Sequence, residues 1–467
     1  MDDPAATHAL PYLPGPVRER PPRKPFSVWE IACWIALVLV VAVPIAFPDL
    51  ARSKASVLTP AQASRVMPPP PMDLLLQSRY VVGVSQLMRA TKQPAPAGLT
   101  DALDRSAQTD ADRFREQLVI RELKGPDAAR TALETFAAKD DALGADARLI
   151  LQRDGVEPAK DLSVSTPEEL QAHHGWFGAL ALSHDLPDSD PRRAAPIDAA
   201  ERTLLAFLGA FGIAGIATLV GLGLLILFIV WRATGKLRPA KLPPDASPQR
   251  RPYLTGFTIY VALISTVSLA LLQLGAPNWV LVLLYFGSPF LAILWVLICG
   301  HSWKQIRATT GFNLGKGFFR EIFAGIIGYI AGLPLLVVGV IFTILLMRLS
   351  GLNASHPIEG AISTNPIRLA ILLGLASVYA PLTEELLFRG FLYEHLRWRL
   401  GYVSSAIISA FIFAAVHPQG WPAIPTLGAI AFTLATLREY RGSLLPGMAA
   451  HALNNTFVLI LLAVAIS

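Results

Sequence analysis

Cysteine is scarce in this chain: there are two in 467 residues, Cys33 and Cys299, and both fall inside apolar runs. Neither suggests a disulfide framework. Charge is scarce as well, at 16% of residues against 53% hydrophobic. No motif for nucleic-acid binding is present. The net charge of +6 is explained more simply by basic loops beside a membrane than by a polyanionic partner.

What the chain has instead is long apolar runs. A spanning helix needs ~20 predominantly apolar residues. Runs of that order lie at Val28–Phe47, Thr203–Trp231, Tyr253–Leu274, Trp279–Cys299, Ile322–Met347, Pro366–Phe388, Tyr402–His417 and Leu444–Ile466. A shorter stretch, Pro425–Leu437, is a candidate ninth. The expected fold is therefore all-α, a polytopic transmembrane bundle of eight or nine spans. Basic residues set its orientation. Arg18, Arg20, Arg23 and Lys24 precede the first span. Arg232, Lys236, Arg238, Lys241, Arg250 and Arg251 follow the second, and Lys304, Arg307, Lys316 and Arg320 follow the fourth. The connections 275–278 and 418–424 carry no Lys or Arg. The positive-inside rule then places the N-terminus in the cytoplasm. Nine spans leave the C-terminus outside, and eight leave it inside.

Six regions follow: a cytoplasmic tail (1–27), an anchor (28–48), an extracytoplasmic domain (49–202), a second span (203–231), a basic loop (232–252) and a membrane core (253–467). The first run, with Ser53-Lys54-Ala55 behind it, resembles a signal peptide. Its length exceeds the ~7–15 residues of a signal core, which favours an uncleaved anchor. Region 49–202 opens on Pro68–Pro71, an extended spacer, and continues as short amphipathic helices with almost no strand-like alternation. His173, His174, His184 and Asp185 near its end read either as a metal site or, more simply, as a solvated polar loop. Gly328 and Gly332 give the fifth span a GxxxG spacing, a packing signal.

The chemistry gathers late in the chain. A charge at the bilayer centre costs about 3 kcal/mol even on a lenient insertion scale, while one Leu returns only about 0.5 kcal/mol. Glu384, Glu385 and Arg389 in TEELLFR, His417 in FAAVH, and His451 with Asn455 in HALNN all sit in apolar stretches. Glu385 and Arg389 are four apart and share a helix face, which suits an ion pair. Glu384 points elsewhere and is left to face a polar cavity. Phe413 and His417, and His451 and Asn455, repeat the four-residue spacing. Glu384 and His417 can activate a water, with His451 and Asn455 donating to an oxyanion. Alternatively, Glu384, His417 and His451 offer three zinc ligands. A proton-coupled transporter also uses Glu and His at mid-membrane, though the halves of the chain show no matching symmetry.

EELLFR, FAAVH and HALNN resemble the three signature motifs, EExxxR, FxxxH and HxxxN, of the CPBP intramembrane proteases. That family comprises type II CAAX-processing endopeptidases and related bacteriocin-processing and immunity (Abi) proteins. The resemblance covers about the last 200 residues and leaves 1–251 unaddressed. It implies a helical membrane bundle in which Glu384 and His417 activate water while His451 and Asn455 stabilise the oxyanion. Members are often labelled metalloproteases, but HExxH is absent. The expectation is glutamate-driven hydrolysis with no obligatory cofactor, zinc being the alternative. The alternative function is a transporter or immunity factor using the same cavity. The family's distribution and the Ala/Arg/Pro-rich composition point to a bacterial inner membrane and to peptides or membrane-protein tails as substrates. One tension stands: counted from Gly401, His417 falls near the outer boundary, whereas Glu384 is expected at mid-depth.

Overall fold

The computed structural model describes residues 25–46, 67–240, 249–352 and 365–466, apart from 95, 97, 102 and 158–161. The basic tail with Arg18, Arg20, Arg23 and Lys24, the Ser53–Ala55 site and Lys241 lie outside the described residues. Among the described residues there is no strand. The helices are α1 (Val28–Ala46), α2 (Met72–Ala90), α3 (Leu103–Ser106), α4 (Asp110–Lys124), α5 (Pro126–Ala137), α6 (Ala142–Arg153), α7 (Pro167–His174), α8 (Trp176–Leu182) and α9 (Pro191–Ala233). They continue as α10 (Arg251–Gln273), α11 (Asn278–Ile298), α12 (Trp303–Thr310), α13 (Phe318–Ser350), α14 (Pro366–Arg399), α15 (Tyr402–Ala415), α16 (Ile424–Arg441) and α17 (Leu445–Ile466). Six of these, α9, α10, α11, α13, α14 and α17, are long and apolar enough to cross a membrane. The apolar stretches of α1 and α15 are shorter.

The chain divides into two compact units. The first holds α1, the end of α9, α10 to α13, the second half of α14, α15, α16 and the start of α17. Its interior is aromatic. Phe388 meets Phe257 and Phe413 edge-on, at 5.0 and 4.9 Å between ring centres. Such pairs add about 0.5–1.5 kcal/mol each to their burial. Helix α1 belongs to this core: Leu37 and Cys33 are buried, and Glu30 binds Arg399 at 2.7 Å and Arg251 at 3.3 Å. A carboxylate at the head of an apolar run is thus explained by guanidinium partners.

Helix α13 packs closely against α16 and the start of α17 through glycine. A Cβ at Gly328 would strike Leu437, at Gly332 Thr433, at Gly325 the carbonyl of Pro446, and at Gly339 that of Pro425. Small residues allow this approach, so the GxxxG spacing serves packing as expected. Basic segments converge on one face of the unit. The Ala240 amide donates to the Glu439 carbonyl at 2.8 Å, Leu444 to that of Gly311 at 2.9 Å, and Arg441 binds Glu321 at 2.8 Å.

The second unit holds α2 to α8 with the adjoining parts of α9, α14 and α17. Thr109 and Thr166 form capping boxes with Asp112 and Glu169, which start α4 and α7. Leu74, Phe114, Leu118, Leu133, Ile150 and Phe177 build the core. The buried Arg121 is bound by Asp154, and Glu122 by His184 and Arg193. His173 and His174 end a helix and His174 is fully buried, so the solvated-loop reading is wrong for that pair. They face Asp146, whereas His184 faces Glu122 and Asp185 lies 3.8 Å from Arg121. The Ala465 carbonyl, near the end of α17, accepts from Thr203 Oγ1 at 2.7 Å and Arg79 Nη1 at 3.2 Å.

Candidate active site

Helix α14 is interrupted by two π-helical segments, Leu375–Tyr379 and Glu385–Leu392. Such widened turns recur at functional sites, and the second begins inside the first motif. Glu384 is the last α-helical residue and Glu385 the first π residue. The two neighbouring carboxylates accordingly have different surroundings.

Glu385 and Arg389 are buried, at 0% and 1% exposure. Arg389 Nη1 donates to Glu385 Oε1 at 2.8 Å and Nη2 to the Ala431 carbonyl of α16 at 3.1 Å. Its guanidinium lies 4.6 Å from the centre of the Phe413 ring, within cation–π range. Phe413 therefore connects two motifs: one face carries the Arg389 cation, and its ring centre lies 4.2 Å from that of His417. The Gly447 position completes the enclosure, since a Cβ there would lie 2.8 Å from Glu385 Oε2.

His417 Nδ1 lies 2.5 Å from the Phe413 carbonyl. A carbonyl only accepts, so Nδ1 donates to it, and a neutral ring would then present its lone pair at Nε2. That nitrogen lies 3.8 Å from Glu384 Oε2, with both side chains about one-fifth exposed. The depth tension between these two residues is resolved by the hairpin. Glu384 and His417 are nearly equidistant in sequence from the Leu400–Gly401 turn, ~24 Å along each helix at 1.5 Å per residue. Helix α14 runs from Pro366 to Arg399, 34 residues. The middle of so long a helix need not be the middle of the bilayer.

The third motif is in the second unit. His451 is 5% exposed. Asn455 Nδ2 donates to the Ala376 carbonyl at 2.7 Å, and Thr456 Oγ1 to Ser377 Oγ at 2.8 Å. Asn455 thus fastens α17 to the first π-helical segment of α14. A carboxamide has a second N–H for other work.

Residues 366–457 match the family model described as type II CAAX prenyl endopeptidase Rce1-like. This segment, about a fifth of the chain, is similar to that family. It includes all three motifs and the π-helical part of α14. No curated protein and no solved structure compared with the chain matches it. The matched family is described as one of endopeptidases, and six helices among the described residues are long and apolar enough to cross a membrane. Three contributors had been missed: the Ala431 carbonyl, Gly447 and Ser377. Only Gly447 left a signal, lying one helical turn before His451.

Proposed function

We propose that the chain is an intramembrane endopeptidase in which Glu384 and His417 activate the water that attacks a peptide carbonyl. The observation that carries this reading is the pair itself. A carboxylate oxygen and an imidazole nitrogen face each other at 3.8 Å, and with the imidazole neutral a water between them would donate to both. Glu385 is already taken up by Arg389, which leaves general-base work to Glu384. As the water attacks, its proton passes to Glu384, and the same acid returns it to the leaving amine. His451 and Asn455 would donate to the oxyanion. Support for them is the motif match and their place on α17, where Gly447, His451 and Asn455 follow at four-residue intervals along one face. The substrate is a peptide or a membrane-protein tail. Zinc on Glu384, His417 and His451 is the competing arrangement, with a metal-polarised water in place of a carboxylate-activated one.

The deciding assay compares cleavage of a membrane-tethered reporter peptide by wild type, Glu384→Gln and His417→Ala, with and without chelator. Each variant should lose about 10²- to 10⁴-fold. Equal cleavage by all three would end the proposal. Loss on chelation, restored by zinc, would replace glutamate-driven hydrolysis with the metal mechanism.

Topology belongs to the same proposal. The basic segments of the first unit share one face with the ends of α14 and α16, which the positive-inside rule makes cytoplasmic. Helix α16 is taken as a further crossing, with α17 running outward. The hydrogen bonds from Arg79 and Thr203 to the Ala465 carbonyl near the end of α17 support a C-terminus on the side of the 67–190 region. The proposed arrangement is thus nine spans in an inner membrane, with a cytoplasmic N-terminus. Topology reporters at the C-terminus and within 67–190 should agree with each other and oppose an N-terminal one.

A further inference from the structure

We infer that Asp146, His173 and His174 form a binding site for one divalent transition-metal ion, with zinc the best fit. Their ligand atoms all lie within 4.8 Å of one another. One carboxylate oxygen, Asp146 Oδ2, stands 2.8 Å from His173 Nδ1 and 3.0 Å from His174 Nε2. Adjacent residues on a helix diverge by about 100°. The two imidazoles nevertheless converge because one presents Nδ1 and the other Nε2 to a carboxylate from α6. Tetrahedral zinc with bonds near 2.0–2.1 Å needs ligand atoms ~3.3 Å apart, so the two hydrogen-bonded pairs need open by only about 0.3–0.5 Å. Two imidazoles and a carboxylate are a common zinc donor set that leaves a fourth position for water. The His173 side chain is 24% exposed while the other two are at 0%, which gives an ion and a water one route in.

The nearby Arg115 is not a bare repelling charge: Nη1 binds Asp112 at 3.1 Å and Nη2 donates to the His173 carbonyl at 3.1 Å. An ion here would fasten α6 to the end of α7.

The test uses full-length protein in detergent, stripped with chelator and titrated with zinc or with cobalt(II) as a spectroscopic probe. Wild type and Glu384→Gln should each bind one equivalent, with tetrahedral cobalt absorption. His173→Ala, at the exposed ligand, and Asp146→Asn should bind at least tenfold more weakly. His184→Ala, outside the cluster, should not differ from wild type. Absence of stoichiometric metal would overturn the inference and leave a hydrogen-bonded clasp. So would unchanged binding in a His173→Ala protein of native circular dichroism, or loss of the ion with Glu384→Gln, which would move the metal to the other site.

Discussion

Arg389→Met should destabilise the protein far more than Glu384→Gln, and the reason is the carboxylate it abandons. Glu385 is fully buried and binds Arg389 at 2.8 Å. Removing one partner of a buried pair costs about 3–5 kcal/mol, because an uncompensated charge stays behind. Replacing both partners by apolar residues avoids that charge. The double variant Glu385→Leu/Arg389→Met should therefore regain most of the loss. It would still fall short by ~1–3 kcal/mol, since the Ala431 carbonyl loses its donor. Cys33 is buried and Cys299 exposed, so in a Cys299→Ser background a thiol-reactive dye reads unfolding at Cys33 during a thermal ramp. Glu384→Gln should keep its melting point and lose cleavage. If the double variant melts as low as Arg389→Met alone, the stranded carboxylate is not the cause. The clamp account of Glu385 would then be wrong.

Gly325→Ala should cost ~1–3 kcal/mol by overpacking, because its Cβ would meet the Pro446 carbonyl at 2.4 Å and Ala449 at 2.8 Å. Gly328→Ala should cost less, since it meets only the movable end of Leu437; thermal unfolding of the two variants compares them. Burial, with Asp104 beside it, pushes Glu116 up to about 8 from 4.5. Between those values the folded state binds more protons than the unfolded, so stability falls as pH rises from about 4.5 to 8. Glu116→Gln should flatten that slope in melts across pH; an unchanged slope would assign it to another group. Arg79→Met with Thr203→Val removes both donors to Ala465. Amide exchange in the last turn of α17 should then accelerate about tenfold, as a local opening ~1.4 kcal/mol easier to reach.

Sequence reading recovered what is encoded locally. The Glu385–Arg389 spacing foretold the ion pair, because four residues on one helix carry their own geometry, even through a π-helical segment. The separation of Glu384 from Glu385 followed from the same rule. Helix α16 read poorly for a physical reason: hydropathy measures fitness for lipid, and this helix is largely surrounded by protein. Ala429, Ala431, Leu434 and Ala435 are buried, and α16 ends in Arg438, Glu439 and Arg441. Those charges are acceptable because Glu394, Arg397 and Glu321 meet them. None of these partners is near in sequence. Asp146 shows the same limit: it stands 27 residues before His173, and no spacing rule connects an aspartate on one amphipathic helix to histidines at the far end of the next. A window on the chain could find the imidazoles, but only packing could supply their third ligand. The same division applies to the catalytic reading: the motifs name the groups, and the α14–α15 hairpin brings Glu384 and His417 level with each other.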